Sequence, residues 1–194
     1  MTVVYAFLLI LTIIGTVAGV EGWRGRREMR ALERALFAEI VPLRAQAASM
    51  AAEIARRHQA GEPLDVAFFS LWRLSAPLIY PAAGASLGLL RGEGLDRVGF
   101  FHARLADASA RLAEAQTAGR FEPSPYRMLY CLVAAINHVG RWTDAMEKRY
   151  GHIPCDMPDL AAANALVESL ETSGSEPVMI DYNWADCAVP SGKP

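Results

Sequence analysis

The sequence predicts an all-α protein: one N-terminal transmembrane helix followed by a cytoplasmic helical bundle of about five helices. Three observations carry this expectation. Val3 to Val20 runs without a single charge. Behind it, apolar residues return at steps of three and four through one segment after another, the spacing of a helix with one buried face. No stretch alternates with the period of two that a strand requires, apart from a short Val-Met-Ile-Asp-Tyr at 178–182.

The chain divides into an anchor (1–22), a basic juxtamembrane segment with a long amphipathic helix (23–63), a helical bundle (64–172) and an extended or disordered tail (173–194). At 194 residues there is room for one ordinary domain and an appendage. The apolar share of 53% is slightly high for a soluble domain and the charged share of 21% slightly low, a skew concentrated in the first twenty residues. A net charge of −2 supplies no general field for nucleic acid, so any electrostatic feature is local and no nucleic-acid partner is expected. The three cysteines, Cys131, Cys155 and Cys187, have no C-x-x-C pairing, which suits reduced thiols in a cytoplasm.

The uncharged run of about eighteen residues reaches about 27 Å as a helix, close to the thickness of a bilayer's hydrocarbon core. No Lys or Arg precedes it, whereas Arg24, Arg26, Arg27, Arg30 and Arg34 follow. That asymmetry places the N-terminus outside and the rest in the cytoplasm, at the inner membrane of a bacterial-type cell. A signal peptide would need basic residues before the run, and a phosphate loop would need a G-K-[ST] or G-x-G-x-x-G pattern, which is lacking. Trp23 stands where an aromatic interface anchor belongs, and Trp23, Arg24, Arg26, Arg27 and Arg30 form the expected contact with lipid headgroups. Gly15 and Gly19 make a G-x-x-x-G that lets a second membrane helix approach closely. Gly22 and Gly25 are expected to loosen the exit from the membrane.

From Glu28 to Gln59, Met29, Leu32, Leu36, Ile40, Leu43, Ala47, Met50 and Ile54 mark a long amphipathic helix, which Pro42 should kink or split. Gly61-Glu62-Pro63 ends it, and Asp65 is positioned to cap a following helix through Val66–Leu74. Ser75–Leu90 carries no charge. Its two prolines and two glycines favour short buried helices, with Leu78, Ile79, Tyr80, Leu87, Leu89 and Leu90 feeding the core, over a second span. Arg91–Gly94 reads as a turn. Leu95, Val98, Phe101, Leu105, Ala108, Leu112 and Ala115 define a helix to about Gly119, with an Asp107–Arg111 ion pair and Arg97, Arg104 and Arg111 as a solvated stripe. Ser124-Pro125 opens a helix ending at Gly151 that buries Leu129, Leu132, Val133, Ile136, Val139 and Trp142. A last helix is expected from Asp156, using Leu160, Ala163, Val167 and Leu170. The tail holds an apolar patch in which Met179, Tyr182 and Trp184 are candidates for docking a partner.

Chemistry is harder to find. His152 and Cys155, with Cys131 and His138 seven residues apart on one helix, offer metal ligands or a Cys-His pair, but two unrelated segments would have to converge. A loop histidine and buried thiols are the ordinary reading. No C-x-x-C-H, E-x-x-H or Walker pattern occurs, so no cofactor is expected. The expected function is that of a single-pass interaction or accessory subunit of a membrane complex, with the bilayer and a membrane protein or a second copy as partners. A membrane-tethered enzyme or metal protein using His138, His152 and Cys155, and a two-span component, are the alternatives.

Overall fold

The computed structural model describes residues 2–90, 92–118 and 125–172, with residues 2–22, 66, 118 and 125 as backbone alone. It is all helical, and no strand occurs among the described residues. The helices are α1 (Thr2–Ala60), α2 (Val66–Ser70), α3 (Ile79–Ala83), α4 (Glu93–Ala118), α5 (Pro125–Tyr150) and α6 (Ala161–Thr172), with a 3-10 helix at Gly84–Leu89. The possible strand at 178–182 and the whole tail lie outside the described residues.

α1 runs unbroken over 59 residues. Pro42 sits inside it without splitting it, contrary to expectation. The proline and Ala38, whose carbonyl loses its partner, are both exposed, so the carbonyl faces solvent and is not left buried without a donor. Gly22 and Gly25 do not interrupt the helix either. Past Ala60 the chain turns through Gly61 at φ +67°, where Gly61 N–H donates to His58 O and Glu62 N–H to Arg57 O, a Schellman close.

α5 is the central helix and packs on α1, α4 and α6. Its contacts with α4 run in opposite chain order: Arg97 reaches the His138 carbonyl and Asp107 reaches Cys131, so the two are antiparallel. The same holds against α1, where Glu33 meets Arg149, Arg44 meets Thr143 and His58 meets Tyr126. Being surrounded, α5 buries more than the predicted stripe: Met128, Cys131, Ala135 and Met146 join Leu129, Leu132, Val133, Ile136, Val139 and Trp142. α4, at the side, buries Val98, Phe101, Leu105, Ala108, Leu112 and Ala115, the predicted face. On α1, Leu36, Ile40, Leu43, Ala47, Met50 and Ile54 are buried as expected.

Three boundaries differ from the sequence reading. α2 is capped by Asp65, which accepts from Phe68 N–H, but it stops after five residues. The Gln116 side-chain amide of α4 then donates to the carbonyls of Phe69 and Trp72, holding the chain in an irregular path. α4 begins at Glu93, so Glu93 and Gly94 of the predicted turn are helical, and Gly92 precedes them at φ +53°. α6 starts at Ala161 rather than Asp156, because Asp159 accepts from Ala161 N–H and caps the helix there. The intervening 151–160 is irregular.

Among the described residues no helix is long and apolar enough to cross a membrane. Ser75–Leu90 is thus no second span: it breaks into α3 and the 3-10 helix, which lie against α1. Leu90 is buried and Ile79, Tyr80 and Leu87 pack on the core, but Leu78 is 77% exposed, a correction to its predicted burial. The expected span Val3–Val20, with Gly15 and Gly19, falls where no side chain is described, and the membrane assignment draws no support from there.

Candidate functional site

The antiparallel seating of α5 on α1 brings the last turn of one helix onto the arginine-rich stretch of the other. Glu33, turned inward, accepts from Arg149 Nη1 and from the Tyr150 hydroxyl, each at 2.7 Å. Arg34 lies over the Tyr150 ring at 5.2 Å, a cation–π contact. Burial and the bond to Glu33 hold the Tyr150 hydroxyl above its ordinary pKa, and Glu33 raises that of Arg149. Arg27, Arg30 and Arg34, spaced by three and four, share the same helix face. Together with Met29, Ala31, Arg149 and Tyr150 they line an open pocket of about 640 Å³.

Four of the five residues predicted for the lipid collar are thus divided in two. Arg27 and Arg30 belong to this pocket, while Arg24 and Arg26 are exposed and outside its lining. Trp23, the fifth, is 62% exposed with Arg27 stacked over its indole at 5.7 Å. None of Arg24, Arg26, Arg27, Arg30 and Arg34 has a carboxylate within ion-pair distance among the described residues. In the sequence Arg34 is only flanking charge, and Arg149 is only one of two basic residues, with Lys148, just before Gly151. Their convergence depends on a contact between residues 116 positions apart, for which the sequence carries no local signal.

A second polar cluster was not foreseen. Glu39, its side chain 8% exposed, accepts the backbone N–H groups of Leu78, Ile79 and Tyr80, at 2.5, 2.5 and 3.0 Å, and so fastens the charge-free segment to α1. His102 stacks on Tyr80 with ring centroids 4.0 Å apart. Both its ring nitrogens are buried without a hydrogen-bond partner, the nearer being 3.9 Å from Glu39. Burial pushes this imidazole down to about 4, against the pull of Glu39. Periodicity does contain the hint: 98, 101, 102 and 105 share the buried face of α4.

The proposed metal or enzyme residues do not converge. His138 lies against Phe100, 4.2 Å between centroids, and its carbonyl accepts from Arg97. His152 pairs with Glu147 and shares with Cys155 a cavity of only about 70 Å³ that His138 does not line. Cys131 donates to Asp107 at 3.1 Å, and burial foremost, then Asp107, push its thiol up to about 11, far from a nucleophile. Among the described residues no three His, Cys, Asp or Glu are grouped to hold a metal ion. The arginine stripe on α4 is less solvated than expected: Arg97 reaches Glu93 and the His138 carbonyl, Arg104 covers Phe100 and Arg111 pairs with Asp107 at 3.4 Å. Met179, Tyr182 and Trp184, the predicted docking residues, lie outside the described residues.

No known protein family, curated protein or solved structure matches the chain.

Proposed function

We propose that the protein is a single-pass, membrane-anchored helical module, with Val3–Val20 crossing the bilayer and the bundle in the cytoplasm at the inner face of a bacterial-type membrane, where it serves a membrane complex as an interaction or accessory subunit. One observation carries the reading. Directly behind an uncharged run of spanning length stand five arginines that the fold leaves without carboxylates among the described residues. Arginines so placed bias the chain to keep that flank inside. Those nearest the run, Arg24 first, also gain about 1 kcal/mol each beside an anionic leaflet. Since Trp23 and these arginines lie on α1, which continues into the bundle and packs on α5 and α6, the anchor confines the bundle to the membrane plane, where weak contacts gain avidity. The G-x-x-x-G of Gly15 and Gly19 supplies the face for a membrane-protein partner or a second copy.

The test is a C-terminal topology reporter on the full chain, run beside a variant carrying Arg24→Gln, Arg26→Gln, Arg27→Gln and Arg30→Gln. The wild type is expected in the membrane fraction with its reporter inside, and the variant as a mixed-orientation population. Release of the wild type by alkaline carbonate, or a reporter facing outward, removes the reading. Purification in mild detergent then identifies the partner. Gly15→Leu with Gly19→Leu is expected to lose it.

A further inference from the structure

The pocket between α1 and the end of α5 differs from a general basic collar in shape and in charge. We infer that it is a binding site for a phosphate group carrying more than one negative charge, a phosphomonoester or pyrophosphate. This rests on reading the arginines as anion-facing, and the separation of the pocket from the lipid collar rests also on Val3–Val20 as the span. Arg27, Arg30, Arg34 and Arg149 line one concavity of about 640 Å³, larger than a single carboxylate requires. Glu33 is the acid that approaches it, and it is already committed to Arg149 and Tyr150. Three guanidiniums therefore remain uncompensated. A phosphomonoester, near −2 at neutral pH with three acceptor oxygens, or a pyrophosphate with more charge, comes nearer to that excess than a phosphodiester headgroup with one charge. Tyr150, held by Glu33, keeps Arg34 over its ring and restricts that side chain before any ligand arrives.

Depth along α1 separates the pocket from the collar. At about 1.5 Å per residue, Arg24 lies about 6 Å beyond Val20, within a headgroup layer of about 5–8 Å. Arg30 and Arg34 lie about 15 and 21 Å beyond it, below that layer for an upright helix. Arg24 thus meets lipid, Arg26, about 9 Å beyond Val20, stands at the edge of that layer, and the pocket opens to phosphate in solution or to a headgroup that projects a monoester.

The experiment uses the full chain in nanodiscs of zwitterionic lipid, titrated calorimetrically with inorganic pyrophosphate. Saturable binding is expected, weakened about tenfold or more by Arg30→Ala with Arg34→Ala and less than about twofold by Arg24→Ala with Arg26→Ala. Arg30→Lys with Arg34→Lys, which keeps charge and loses the planar fork, is expected to fall between, and circular dichroism checks that each variant is folded. Repeating the titration in discs doped with phosphatidic acid or, at matched charge, phosphatidylglycerol distinguishes the sources. A lower pyrophosphate affinity with phosphatidic acid alone assigns the pocket to a monoester headgroup, and equal affinities assign it to a soluble ligand. No saturable binding of either probe, or equal losses from the two alanine pairs, overturns the site. Release of the chain by alkaline carbonate would remove the anchor, and a topology reporter facing outward would reverse its orientation, each while leaving the pyrophosphate result standing.

Discussion

The arginines of the collar and those of the bundle meet opposite fates. At the far end of α1, Arg56 bonds both oxygens of Glu53 and both of Glu62, while Arg57 reaches Glu53 and lies 4.2 Å from the Phe68 ring. Two cations and two acids close on themselves and secure the turn at Gly61. Through 23–34 the same residue type finds no such match, because Glu33 faces inward and Glu28 lines a different cleft, beside Ile79 and Ala82. Within the bundle, charge is spent holding the fold together. In the collar it is left over for something outside. Substituting bundle charges should therefore change stability, and substituting collar charges should change binding and topology.

The largest effect is expected at Glu39. Glu39→Ala strips an acceptor from three backbone N–H groups at once and should cost about 3–5 kcal/mol, read as a lower midpoint in urea unfolding. Glu39→Gln keeps one acceptor oxygen and should recover part of the loss. A midpoint unchanged in Glu39→Ala would mean that the 78–90 segment is not fastened from α1.

Next comes acid. His102 is held neutral in the fold, with its pKa pushed below the unfolded value to about 4. The folded state therefore resists the proton that the unfolded chain accepts, so stability is full above pH 6.5 and falls as the pH drops towards 4, by about 3 kcal/mol. Burial lowers His138 too and adds in the same direction. His102→Phe keeps a ring against Tyr80 and should remove most of the pH dependence between 6.5 and 5. If the variant keeps the wild-type slope, another group is responsible.

The same division decides how much was legible beforehand. Val98, Phe101, Leu105, Ala108 and Leu112 were predictable because one helix face meets one neighbour, and periodicity records that directly. The second buried face of α5 was not, since a helix enclosed on several sides loses its contrast. Asp65 and Gly61 announced themselves because caps and turns are local chemistry. Glu33 and Glu39 could not, because their partners lie far along the chain and only the packed fold brings them together. The collar arginines were visible as a cluster; that Arg34 and Arg149 complete a pocket with Arg27 and Arg30 was not.

A smaller change is expected from Glu53→Ala. It releases Arg56 and Arg57 from an exposed network, and pairs of that kind contribute little, so the melting temperature should fall by less than about 3 °C. The effect should shrink in high salt, which screens the pair in the parent. A larger loss would show the Gly61 turn to depend on that network rather than on its own backbone bonds.

The smallest expected effect is the sharpest test of the contrast. Arg24→Gln with Arg26→Gln removes two exposed cations that touch no carboxylate among the described residues, so the melting temperature in neutral detergent should stay within about 1 °C of the parent. Any shift should be upward, because relieving repulsion among neighbouring arginines favours the helix, and added salt should erase it. Selectivity for anionic over zwitterionic lipid should nevertheless fall, by about 1 kcal/mol for each arginine removed. Stability that drops while lipid selectivity holds would reverse the assignment, placing these side chains among the charges that build the fold.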